Sequence, residues 1–78
     1  MWQRKDNADY LSWHREAPPM VLKVERQAFN EPEWGKPRWN LIVTTPFGKQ
    51  HYHEYRSYQE QDAIDWANRM ALDYGAKE

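Results

Sequence analysis

The stretch SYQEQDAIDWANRMALDYG, Ser57 to Gly75, decides the fold. Ser57-Tyr58-Gln59-Glu60 fits a capping box, with Ser57 set to accept from the Glu60 amide and Glu60 to reach back. Beyond it, Glu60, Ala63, Ile64, Ala67, Met70, Ala71 and Tyr74 fall on one arc at about 100° per residue. Asp62, Asp65, Arg69 and Asp73 take the opposite arc, where Asp65–Arg69 and Arg69–Asp73 have ion-pair spacing. Gly75 suits a left-handed C-cap. These signals predict an amphipathic helix from Ser57 to Tyr74. Its alanine-rich inner face must lie close on a sheet, with Trp66 at the border of the apolar arc and Leu72 on its far flank.

A hairpin precedes the helix. Arg38 to Thr45 is rich in strand formers, Thr45-Pro46-Phe47-Gly48 has the chemistry of a type I turn followed by a left-handed glycine, and Lys49 to Tyr55 returns. Pairing across that turn puts Trp39, Leu41, Val43, His51, His53 and Tyr55 on the face that should meet the helix. Asn40, Ile42, Thr44, Gln50, Tyr52 and Glu54 take the other face. Val21 to Phe29 alternates as a third strand. The connection from Asn30 to Pro37 reads as a loop with Trp34 near its tip. In the first nineteen residues, a short helix over Asp9–Arg15 ended by Pro18-Pro19 competes with irregular chain. The expectation is a single α+β domain over residues 1–78 in the order (α)βββα: a three-stranded antiparallel sheet covered on one face by a C-terminal helix.

Composition limits the functions open to such a domain. Ile, Leu and Val number nine against twelve Trp, Tyr and Phe, so aromatic rings must complete the core. Eleven basic residues nearly cancel twelve acidic ones, for a net charge of −1. A protein held mainly by phosphate contacts shows a basic excess instead. The chain has no cysteine, which removes disulfides and thiolate ligands and suits a reducing compartment. With no apolar run of membrane-spanning length and no signal-type h-region, a cytoplasmic location is expected.

No catalytic motif is complete. Ser57 is used as a cap, Ser12 has only His14 near it in sequence, and three glycines cannot build a phosphate-cradling loop. His51 and His53 share a strand face and are the candidate metal ligands, but His14 and Glu54 do not complete a set, Glu54 pointing to the opposite face. The expected function is therefore non-enzymatic and cofactor-free. It is a protein-binding module, by size and form an inhibitor or adaptor of the phage or mobile-element kind, that occupies a surface on a larger protein or nucleoprotein. Two surfaces are candidates: an aromatic and basic end made of Trp34, Lys36, Arg38, Phe47, Lys49 and Tyr52, and the acidic helix face of Asp62, Asp65, Arg69 and Asp73. A sheet edge could also pair with a second copy of the chain. The competing expectation is a single-stranded nucleic-acid binder that stacks bases on sheet and loop aromatics beside Arg and Lys.

Overall fold

The computed structural model describes residues 1–27 and 36–76, and builds them into one antiparallel meander crossed by one helix. The strands are β1 (Gln3–Arg4), β2 (Tyr10–Ala17), β3 (Met20–Gln27), β4 (Arg38–Thr44) and β5 (Gln50–Arg56), followed by α1 (Glu60–Asp73). Sheet order equals chain order, β1-β2-β3-β4-β5. The sheet is thus five-stranded, not three-stranded, and the expected order (α)βββα is corrected to βββββα. The α+β class stands.

The correction comes from the N-terminal segment. Tyr10 to Ala17 is a strand paired along its length with β3, from Tyr10↔Gln27 to Ala17↔Met20, in place of a helix over Asp9–Arg15. Pro18 and Pro19 do not stop a helix. They form a two-residue connection with a cis bond between them, the arrangement of a turn with cis proline at its third position. Leu11, Trp13 and Ala17 point to the helix side, and Ser12, His14 and Glu16 to the other, an alternation of period two. β1 then adds to β2 through Gln3↔His14 and Arg4↔Trp13.

The hairpin has the expected form. Gly48 N–H donates to Thr45 O at 2.9 Å and Gly48 adopts φ +82°, so the left-handed position falls on the residue that tolerates it. Register pairs Trp39↔Tyr55, Leu41↔His53 and Val43↔His51, which places these six side chains on the helix face as anticipated. The described part of the third strand ends at Gln27. Its expected continuation to Phe29 and the Trp34 loop tip lie outside the described residues.

The helix begins later than expected, at Glu60, and without a side-chain cap. Ser57 Oγ accepts from the Gln59 N–H at 3.0 Å and donates to Asp62 Oδ2 at 3.3 Å, so the hydroxyl closes the approach turn rather than the first helical turn. Glu60 is drawn away from Ser57 because its Oε1 accepts the Trp13 indole N–H at 2.7 Å. At the other end, Ala76 N–H reaches Ala71 O (3.1 Å) and Gly75 N–H reaches Leu72 O (2.9 Å), with Gly75 at φ +86°. This is a Schellman closure, with Ala71 and Ala76 both buried.

The core lies between the helix and one sheet face. Leu22, Val24, Leu41 and Val43 are fully buried there beneath Ala63, Ala67 and Ala71, which carry no more than a methyl and let the helix backbone approach. Aromatic rings seal the margins. Tyr55 and Trp66 stack with centroids 5.0 Å apart, Tyr74 lies against His51 and His53, and Trp39 donates its indole N–H to Ser57 O at 3.2 Å. On the β1–β2 side, Asn68 Oδ1 accepts from both the Trp2 indole (2.9 Å) and Arg15 (2.8 Å).

Candidate binding face of the sheet

A meander with one helix has a second face that the helix does not touch. Antiparallel register lines its side chains into rows across the strands. One row runs Gln3, His14, Lys23, Ile42, Tyr52; a second runs Ser12, Glu25, Asn40, Glu54; a third runs Glu16, Val21, Thr44, Gln50. The middle of this face is apolar. Ile42 stands between Lys23 and Tyr52, Val21 is diagonal to it, and Val21 and Tyr52 are 47% and 66% exposed. Charges surround that centre and largely neutralise one another, with Lys23 Nζ 3.1 Å from Glu25 and Arg38 3.6 Å from Glu54.

At the β1–β2 end, Ser12 Oγ and His14 Nε2 are 2.9 Å apart. Burial, with help from the positive charges of Lys23 and Lys5, pushes the His14 pKa below its ordinary value, Glu25 opposing. The neutral ring can then accept the Ser12 hydroxyl proton. Ser12 itself is only 2% exposed, which closes its oxygen to a substrate and makes the pair a structural one. Nearby, Asp6 Oδ1 accepts the Ser12 N–H at 3.0 Å and Asp6 Oδ2 meets Arg4 at 2.6 Å; these two bonds hold the Asp6 carboxyl below the usual carboxylate range.

The His14 shift has a measurable consequence. A folded pKa depressed below 6.5 means that the unfolded chain binds this proton more readily, so the contribution to stability is complete above pH 6.5 and is lost as pH falls through the folded value. His14→Gln is expected to flatten the stability curve over that acid range. An NMR titration placing the folded His14 pKa at or above 6.5 would contradict this.

The residues singled out from sequence divide differently from what was expected. Lys36 and Arg38 stand at the start of β4, and Phe47 and Lys49 at its far end across the hairpin turn. A seven-residue strand separates them by roughly 20 Å, so the expected aromatic and basic end is not one surface. Phe47 is 95% exposed at the turn, while Tyr52 lies mid-strand on the open face. Trp34 is outside the described residues. Asp62, Asp65, Arg69 and Asp73 are all exposed on α1. Asp65 accepts from Gln61 Nε2 at 3.0 Å rather than pairing with Arg69, and among the described residues no ion pair joins Arg69 to Asp65 or Asp73. Arg69 instead lines a groove of about 420 Å³ with Trp2, Arg15 and Leu72.

His51 and His53 point under the helix, where His53 Nε2 bonds the Tyr74 hydroxyl and His51 lies 5.2 Å from the Tyr74 ring. Among the described residues no group of three His, Cys, Asp or Glu side chains is placed to hold a metal. Sequence reasoning missed Tyr10, His14 and Glu16 as members of the open face because β2 was not read as a strand, and it left Val21 off the candidate surfaces although its strand was expected. The signal that could have found them is the alternation of Leu11, Trp13 and Ala17 with Ser12, His14 and Glu16. No described helix is long and apolar enough to cross a membrane. No family model, curated protein or solved structure matches this chain.

Proposed function

We propose that this chain is a non-enzymatic binding module that docks a larger protein on the open face of its sheet, acting as an inhibitor or adaptor by occupying that partner's surface. The observation that carries this reading is the apolar centre of the five-stranded sheet, where exposed Val21 and Tyr52 flank half-buried Ile42, with the charge pairs Lys23–Glu25 and Arg38–Glu54 beside it. A large exposed tyrosine beside aliphatic groups, with a polar rim, is the composition of a protein–protein hot spot. The same pairing of charges disfavours the nucleic-acid alternative. Lys23 and Arg38 on this face are each within ion-pair distance of a glutamate, which makes them less available to phosphate.

Pull-down from a lysate of the source cell, with and without nuclease, tests the reading. A stoichiometric protein partner that survives nuclease is expected. Val21→Glu should then weaken capture by roughly 30-fold, the scale of a hot-spot loss, while leaving the exposed position's stability nearly unchanged. Failure to retain any protein, or retention abolished by nuclease, would overturn the proposal.

A further inference from the structure

The outer edge of β5 presents backbone groups that docking on the open face does not use, although Tyr52 borders both. Among the described residues β5 pairs only with β4, and it is seven residues long. Two backbone bonds fix which of its groups are unused. Thr45 N–H donates to Lys49 O and, at the other end of the ladder, Ser57 N–H donates to Pro37 O. Antiparallel alternation between these ends turns the backbone of His51, His53 and Tyr55 toward β4. The N–H and C=O groups of Gln50, Tyr52, Glu54 and Arg56 therefore point away from the sheet.

Natural edge strands are usually blunted by proline, a bulge, lysine or short length. This one, QHYHEYR, contains no proline or lysine and is paired with β4 without a break in register. The opposite edge is blunted by the two-residue β1. Head-to-tail addition of β5 to β1 would thus satisfy only a fraction of the exposed backbone, which leaves a closed, two-fold arrangement as the one that uses it fully.

We propose that two copies of this chain pair through β5, antiparallel about a two-fold axis at His53, to form a continuous ten-stranded sheet. In that register all four outward-facing residues are matched. Tyr52 lies opposite Glu54 of the second copy, Gln50 lies opposite its Arg56, and no like charges face each other. Shifting by two residues one way sets Glu54 against Glu54 of the second copy, and shifting the other way leaves Arg56 beyond the paired strand. A net charge of −1 adds little repulsion between copies.

The helix supplies a second element at the same edge. Trp66, Met70 and Tyr74, four residues apart, are each only partly buried. Trp66 stacks on Tyr55, and Tyr74 bonds His53, so this side of α1 runs antiparallel above β5. The two-fold brings these side chains of the two copies toward each other, so that side-chain burial accompanies the backbone bonds.

Light scattering coupled to size exclusion, or sedimentation over a concentration series, reads the outcome, a dimer for the natural chain. Gln50→Lys places a like charge opposite Arg56 and should weaken the dimer about tenfold, since symmetry counts the pair twice; Gln50→Glu should tighten it by a similar factor. Tyr52→Pro removes an outward N–H without breaking any bond to β4, and is expected to give a monomer that keeps its circular dichroism. A chain that stays monomeric to about 1 mM overturns the proposal. So does a dimer indifferent to the sign of the charge at position 50, a result that stands even where Tyr52→Pro fails to fold. Val21→Glu lies two strands from the edge and should leave the dimer intact, which separates this interface from partner docking on the open face.

Discussion

Trp39→Ala is expected to be the most damaging single substitution in the chain, costing about 3–5 kcal/mol. A domain of this length has roughly 4–12 kcal/mol in total, so the variant should sit near its unfolding midpoint. Three contacts converge on the ring. It is 2% exposed over the core, its N–H holds Ser57 O at the turn before α1, and the Arg26 guanidinium stands 5.1 Å from its centroid. Trp39→Phe keeps most of the apolar volume and removes the N–H, so it should lose only about 1–3 kcal/mol, chiefly from the buried carbonyl left without its donor. Urea titration of both variants checks the ordering. If alanine cost no more than phenylalanine, the ring would not be the keystone described.

The second large effect tests the opposite error, too much volume. Ala63, Ala67 and Ala71 are fully buried and lie one turn apart, so their methyl groups set how closely α1 approaches β3, β4 and β5. Ala67→Leu adds three carbons where nothing can move aside cheaply, and is expected to destabilise by about 1–3 kcal/mol although leucine is a good helix former. The expected signature is a lower urea midpoint with dispersed tryptophan and tyrosine resonances displaced, above all those of the Tyr55–Trp66 stack. Unchanged stability would mean that the helix stands off the sheet by more than its alanines imply.

How far the fold could be read in advance depended on whether a segment's signals agreed. Over Ser57–Gly75 the apolar arc and the terminal glycine both pointed to one helix, and each residue of that arc is buried or partly buried. In the 38–55 hairpin, turn chemistry and strand propensity reinforced each other, and the faces followed from register. Tyr10–Ala17 offered no such agreement. Ser12, His14, Arg15 and Glu16 are compatible with either state, Pro18-Pro19 ends a helix as readily as it turns a hairpin, and the deciding factor is pairing with β3, a tertiary effect. Glu60 shows the same limit in miniature. Its spacing from Ser57 suggested a cap, but an indole N–H forty-seven residues earlier in the chain competes for the same carboxylate and holds it.

The candidate site was legible only in part, for a geometric reason. Ile42 and Tyr52 were assigned to the face away from the helix by simple alternation, and they lie there. Grouping Arg38 with Phe47 and Lys49 followed closeness in sequence, whereas an extended strand carries its two ends far apart. Val21 belongs to the face through its register with Thr44 of β4, which brings it diagonal to Ile42. Charge pairing was also invisible from composition, since Arg38 meets Glu54 diagonally across two strands.

The plain meander order has a kinetic consequence. Every strand pairs with its neighbour in the chain, so sheet formation asks only for short loop closures, and hairpins can add one after another without waiting for distant segments. The clasp between Trp2 and Asn68 is different, because it joins groups 66 positions apart. A contact of such sequence separation is expected to form only after the helix has docked on the sheet. Substitutions at Asn68 should therefore act mainly on the rate at which the native protein opens, and those in the β4–β5 hairpin on the rate at which it forms.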